Sequence, residues 1–233
     1  MEFIVKDLGL CDYKNALLNQ ENTRTALINN QGKDTLFLLE HNHTYTLGKN
    51  ANRNNIINQN CDLFETDRGG DVTYHGPGQL VGYPIIDLRK MRLGVRLYVS
   101  SIEKLLIKVL YDYDINASTR KGLTGVWVDD RKIASIGIRV SKWVTTHGFA
   151  LNVNTDMNYF SNIISCGIDN VLMTSMVQEL GQEIPMDEIK KSTINHFNDI
   201  FKQWFNLEQT SQRLISLLIK IINLSEKQLK KDI

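Results

Sequence analysis

The sequence predicts an α+β chain of mixed α/β layers. Residues 125–140 read as a β-hairpin, and the clearest helix, Val95 to Tyr113, stands among antiparallel-looking strands without the strict alternation of a doubly wound parallel sheet. Size agrees, because 233 residues with 42% hydrophobic content can bury one substantial core.

Taken in order, Phe3 to Leu8 reads as a short strand, and Tyr13 to Ile28 as a helix with Ala16, Leu17, Ala26 and Leu27 around a polar middle. Thr35 to Glu40 is an apolar run of strand length. The stretch EHNHTYTLGKNANRNN that follows, with Gly48 and many asparagines, reads as a loop entering a substrate groove. Leu80 to Leu88 supplies another strand. In the 95–113 helix, Val95, Val99, Ile102, Leu105, Leu106, Val109 and Leu110 are spaced to pack on a sheet. The 125–140 hairpin turns at Asp129-Asp130-Arg131, and His147 to Val153 continues the sheet. Helical spacing returns from Asp187 to Phe205. In the tail, Leu214, Leu217, Leu218, Ile221 and Ile222 form one stripe of a further helix, expected to pack on its own domain. The expected division is a catalytic domain over 1–207 and an amphipathic helical extension over 208–233.

The formal net charge of +1 gives no global drive toward nucleic acid or membrane, so an acidic partner must be drawn by a local patch. Lys227, Lys230 and Lys231 lack the interleaved aromatics of a nucleic-acid binder. Cys11, Cys61 and Cys166 form neither a disulfide framework nor a zinc pattern, which points to a reducing compartment. MEFIVKDLGL carries Glu2, Lys6 and Asp7 among its apolar residues and matches neither a signal peptide nor a span, so the expected location is the cytoplasm.

Residues 68–84, RGGDVTYHGPGQLVGYP, are the densest chemistry-bearing stretch. Glycines let backbone approach a ligand, Pro77 and Pro84 stiffen the path, and the polar residues punctuate a groove lined by exposed amides. A pair of tight turns joining strands is the plainer alternative.

This segment closely resembles the signature of the octanoyltransferases of lipoate synthesis. GVWVDDRKIASIGIRV at 125–140, THGFALNVNTD at 146–156 and the Cys-Gly pair at 166–167 resemble that family's remaining blocks, in its order and at its approximate spacing. The resemblance covers roughly residues 35–180. It departs at Ser165, where the family usually has proline; the change loosens local backbone but removes no reactive group.

The resemblance implies the fold of the biotin and lipoate protein ligases. It also implies octanoyl transfer from octanoyl-acyl carrier protein to a lysine of lipoyl domains, those of the 2-oxoacid dehydrogenases and the glycine cleavage H protein. Cys166 matches the family's nucleophile and Lys132 its proton carrier, with no metal or other cofactor. Arg68, Gly69, Gly70, Asp71, Val72, Thr73, Tyr74 and His75 correspond to positions lining the acyl channel and its mouth. Ser135, Ile136 and Gly137 correspond to one wall, and Gly148, Phe149 and Ala150 to another. The expected state is a monomer that engages neither nucleic acid nor membrane.

The residue types fit the chemistry. A cysteine of pKa about 8.5 is only a few per cent thiolate at neutral pH, so an adjacent lysine cation enlarges the reactive fraction. A lysine with a reference pKa near 10.4 needs partial desolvation before it can accept a proton from an attacking amine. Period-two alternation from Lys132 places Ala134, Ile136, Ile138 and Val140 on its face, which would lay its base against apolar side chains. From position alone Lys132 is equally readable as a solvated hairpin-end lysine, and Cys166 as a small buried residue, the reading kept for Cys11 and Cys61. Amides near Gly167 or in the glycine-rich loop are candidates for an oxyanion hole. His75 and His147 read first as structural histidines bonded to backbone, and second as substrate-orienting or proton-carrying groups. His41 and His43 lack the carboxylates of a metal site. Two other functions compete. One is an ATP-dependent ligase, whose phosphate loop the acidic Asp71 after Arg68-Gly69-Gly70 disfavours; the other is a docking module without chemistry, which would tolerate loss of Cys166 or Lys132.

Overall fold

The computed structural model describes residues 3–165 and 171–229. In chain order its elements are β1 (Ile4–Cys11), α1 (Tyr13–Ile28), β2 (Thr35–His41), β3 (Thr44–Leu47), β4 (Asp62–Glu65), β5 (Val72–His75), β6 (Gln79–Ile85), α2 (Val95–Tyr111), β7 (Ser118–Arg120), β8 (Leu123–Val128), β9 (Arg131–Ser141), β10 (Val144–Asn152), β11 (Leu172–Met173), α3 (Met176–Leu180) and α4 (Met186–Leu229). The main sheet runs β1-β2-β6-β10-β9-β8-β7, with β11 paired to β9, and a smaller sheet runs β4-β3-β5. Pairs β1–β2 and β9–β11 are parallel, while β2–β6, β6–β10, β10–β9, β9–β8 and β8–β7 are antiparallel. The mixed α/β layers expected from the sequence are present.

Alternation along the strands loads both faces of the main sheet. Leu36 and Leu38 of β2, Leu80 of β6 and Leu151 of β10 belong to the core under α2 and α4, with Ile102, Leu105 and Leu106 of α2 and Phe197 and Phe201 of α4. Fully burying each such aliphatic or aromatic side chain stabilises the fold by about 1.5–3 kcal/mol. On the opposite face Phe37 and Leu39 of β2, Val81 and Tyr83 of β6 and Ala150 of β10 pack with Ala16 and Leu27 of α1. Asp12 caps α1, its Oδ1 accepting from the Lys14 and Asn15 amides at 2.8 and 3.3 Å, and so fixes where Tyr13 enters the molecule.

Two features depart from the sequence reading. Residues expected to form an asparagine-rich loop contain β3, and the glycine-rich segment contains β5. Together with β4 they make the smaller sheet, whose Tyr45, Leu47, Val72 and Tyr74 bury against Phe160 and Ile163. The second is a β-bulge in the hairpin: Trp127 pairs with Lys132 and Val126 with Ala134, so Ile133 is an extra residue. The bulge breaks the period of two. Ile133, Ala134, Ile136, Ile138 and Val140 all contact the core under α2 and α4, whereas Lys132 faces the other side with Ser135 and Gly137. The expectation that Lys132 shares a face with Ala134, Ile136, Ile138 and Val140 is therefore corrected.

α4 carries the chain continuously from the segment read as the 187–205 helix into the segment read as a separate tail helix. Among the described residues, no helix is long and apolar enough to cross a membrane.

Candidate active site

A cavity of about 190 Å³ lies on the α1 side of the main sheet, roofed by β5 and the segment before it. Ser135 and Gly137 of β9 and Gly148 and Ala150 of β10 make its floor, in register as Ser135–Ala150 and Gly137–Gly148. Ile136 and Phe149 border it while their side chains contact the opposite core. Gly137 has a steric reason: a Cβ there would meet the Gly69 carbonyl at 2.9 Å and Arg68 Cδ at 3.1 Å. The Gly69 amide donates to the Ile138 carbonyl at 2.9 Å, so residues 68–70 lie flush on β9.

Arg68 is buried, and its guanidinium donates to the Thr46 carbonyl at 2.7 Å, to Thr46 Oγ1 at 2.8 Å and to the Gly69 carbonyl at 3.1 Å. It clamps the roof onto β3 and presents its stem to the cavity. Asp71 accepts from the Asn55 side-chain amide at 2.8 Å and from the Val72 amide at 2.6 Å. Gly70, Val72, Thr73 and His75 also line the hollow. Tyr74 does not, because strand alternation turns it into the smaller core, where it stacks on Tyr159 with ring centroids 4.8 Å apart.

His75 is oriented by a buried chain of directed hydrogen bonds. Asn152 Nδ2 donates to the Thr174 carbonyl at 3.0 Å, and Gln79 Nε2 donates to Asn152 Oδ1 at 2.8 Å and to the Tyr74 carbonyl at 3.2 Å. Gln79 Oε1 is thereby left to accept from His75 Nδ1 at 2.8 Å. The network assigns the Nδ1–H tautomer and leaves Nε2 as an acceptor. Burial, and then the neighbouring His41, pull the His75 pKa down to about 3. His41 is likewise fixed, Nδ1 donating to the Cys11 carbonyl and Nε2 accepting from Tyr83 Oη, each at 2.8 Å, and burial lowers its pKa to about 4.

His147 stands in the left-handed region at φ 58°. Its amide donates to Gln20 Oε1 at 2.7 Å, and its Nε2 to Asp67 at 2.9 Å, while Arg139 pairs with the same carboxylate at 2.5 Å. The hydrogen bond from His147, reinforced by the charges of His147 and Arg139, outweighs partial burial and holds Asp67 below the usual carboxylate range. Both cavity histidines thus bond to side chains, not to backbone as the sequence reading had it.

Lys132 is 3% exposed and lines the cavity. Its Nζ lies over the Trp127 ring, 5.4 Å from the centroid. Gly125, at φ 131°, makes room for it, since a Cβ there would lie 2.5 Å from Lys132 Cε and 2.7 Å from the Ala134 carbonyl. Beside it, Met173 of β11 registers with Lys132, and the Thr174 amide donates to the Lys132 carbonyl at 2.9 Å. Ser165 is buried. Cys166 and Gly167 lie outside the described residues. Cys11 and Cys61 are free thiols whose pKa values are raised, Cys61 to about 11, chiefly by burial.

Sequence reasoning did not select Tyr13, Tyr83 and residues 122–124, which complete the wall. Tyr83 lies inside the quoted glycine-rich segment, and Tyr13 carried no signal beyond its place at a helix start.

The description "lipoyl protein ligase A/B catalytic domain" matches residues 12–198. An octanoyltransferase of Solibacter usitatus is 46% identical over 204 residues, covering 84% of this chain and 92% of the relative. One from Pelobacter propionicus is 42% identical over 201 residues, covering 86% and 96%. Among solved structures, a bi-partite lipoate protein ligase studied with its E2 lipoyl domain from Thermoplasma acidophilum aligns with TM-score 0.65 at 15% identity, covering 87% of this chain and 84% of its own. A lipoate-protein ligase A bound with ATP aligns with TM-score 0.66 at 13% identity, covering 87% and 86%. At such identities the structural likenesses establish the fold alone.

Proposed function

The chain belongs to the octanoyltransferases within the lipoyl protein ligase A/B catalytic-domain family and is an acyltransferase, and from that premise we propose that it moves octanoyl from octanoyl-acyl carrier protein to a lipoyl-domain lysine through a Cys166 thioester. The observation that carries this reading is Lys132: a buried amine, turned by the Ile133 bulge into the cavity and paired through β11 with the chain that follows Cys166.

In the proposed cycle Cys166 and Lys132 rest as thiolate and ammonium. The thiolate adds to the carrier thioester carbonyl; the C–S bond to the carrier breaks, and the departing thiolate takes a proton from Lys132. The octanoyl group is now on Cys166 and the Lys132 amine is neutral. A neutral lysine amine of the lipoyl domain adds to the Cys166 thioester, gives one proton to Lys132 and expels the Cys166 thiolate as the amide forms. The starting ion pair is restored. Thioester exchange is nearly isoenergetic and amide formation runs downhill, so the covalent intermediate divides the reaction into two accessible steps. The roof of residues 68–73, with His75, and the floor of Ser135, Gly137, Gly148 and Ala150 hold the acyl chain, and closing it off from water protects the thioester from hydrolysis.

The test is transfer without ATP. Octanoyl-acyl carrier protein and an apo lipoyl domain should yield octanoylated domain by intact mass; strict dependence on ATP and free octanoate would move the chain to the ligases.

A further inference from the structure

A second hollow, of about 590 Å³, adjoins the acyl cavity and shares Gly122, Leu123 and Thr124 with it. Its charged walls are Arg96 and Glu103 of α2 and Arg120 and Lys121 at the end of β7. Three cations therefore face one carboxylate, on a chain whose formal net charge is only +1. Glu103 accepts from the Gly125 amide at 3.3 Å. Arg120 is preorganised, 4.9 Å over the Trp127 ring, donating to the Asp129 carbonyl at 2.7 Å and ion-paired with Asp130. Arg96 and Lys121 are exposed, and neither forms an ion pair with a described residue.

Trp127 lines neither hollow, but it carries a cation from each. Arg120 and Lys132 both rest on its indole, so whatever binds at Arg120 sits one side chain from the cavity's amine. An acyl carrier delivers its thioester on a phosphopantetheine arm whose phosphodiester is anionic, and carriers are acidic as a class. Lipoyl domains are acidic as a class as well, but a lipoyl domain brings no phosphodiester and must deliver a lysine, which is repelled among three cations.

Resting on the donor reading above, we propose that this groove receives the anionic arm and acidic surface of the acyl carrier, the thioester end passing over Gly122–Thr124 into the cavity. Charge complementarity of this kind raises the encounter rate and falls with ionic strength. The test is the double variant Arg96→Glu with Lys121→Glu, both exposed, with folding checked by thermal melting. Its kcat/KM for octanoyl-acyl carrier protein should fall at least tenfold at low salt, and so should its ratio to kcat/KM for octanoyl-N-acetylcysteamine, a thioester without phosphate or carrier. An unchanged ratio overturns the inference, as does a loss confined to kcat/KM for the lipoyl domain. A wild-type protein that uses neither thioester, only ATP with free octanoate, overturns the donor reading itself.

Discussion

Lys132 and Gly125 form one steric unit. Lys132→Ala removes the proposed proton carrier and should lower kcat by about 10²–10⁴-fold, the usual span of general acid–base catalysis. Lys132→Arg should not rescue it, because a guanidinium stays protonated and cannot accept the amine's proton. Gly125→Ala puts a methyl group where Lys132 Cε and the Ala134 carbonyl lie and holds a side chain at φ 131°. It should cost about 1–3 kcal/mol of stability, read by urea unfolding, together with most of the transfer rate. A Gly125→Ala protein of wild-type stability and activity would show that the crowding is absent. The buried histidines make a separate prediction. His41 and His75 have native pKa values of about 4 and 3 against 6.5 unfolded, so the unfolded chain binds more protons as pH falls. Stability from each is full above pH 6.5 and is lost as pH drops toward the native values, by about 2 kcal/mol per histidine at pH 5. The urea midpoint should fall between pH 7 and pH 5, and less steeply in His41→Asn; equal slopes would contradict the assignment.

Among the elements, α2 was legible because its apolar stripe keeps the helical period from Val95 to Leu110, α1 from Ala16, Leu17, Ala26 and Leu27 around a polar middle, and the 125–140 hairpin from apolar strand residues on either side of the Asp129-Asp130 turn. β3 and β5 were not. Thr44–Leu47 and Val72–His75 are four residues each, too short for a period to outweigh neighbouring glycines and asparagines, and their burial depends on Phe160 and Ile163, which are distant in the sequence from both. The Ile133 bulge was hidden for another reason: an extra residue resets strand facing without any change in composition, so counting by two from Lys132 reached the wrong face. The site itself was read largely from residue blocks, and all but Tyr74 of its predicted lining residues in the described chain border the cavity. The proposed division at 207/208 is an element-scale prediction. Among the residues whose side chains are described, α4 contacts the core as far as Trp204 and Phe205, and a chain ending at 207 keeps these contacts. It should melt cooperatively and retain transfer; a truncated chain that fails to fold would assign the last residues to the core.

At the scale of the whole molecule, a mixed sheet shields one core under α2 and α4 and reserves its other face for α1, the small sheet and the cavity between them. That layering holds Lys132 away from water, in a cavity whose wall at residues 122–124 is shared with the neighbouring hollow. The account turns on one covalent event. The purified protein should be incubated with octanoyl-acyl carrier protein, without ATP or acceptor, and read by intact and peptide mass spectrometry. An octanoyl group on Cys166, released by hydroxylamine, is the predicted result; an unmodified Cys166 in a preparation that still octanoylates lipoyl domains would contradict it.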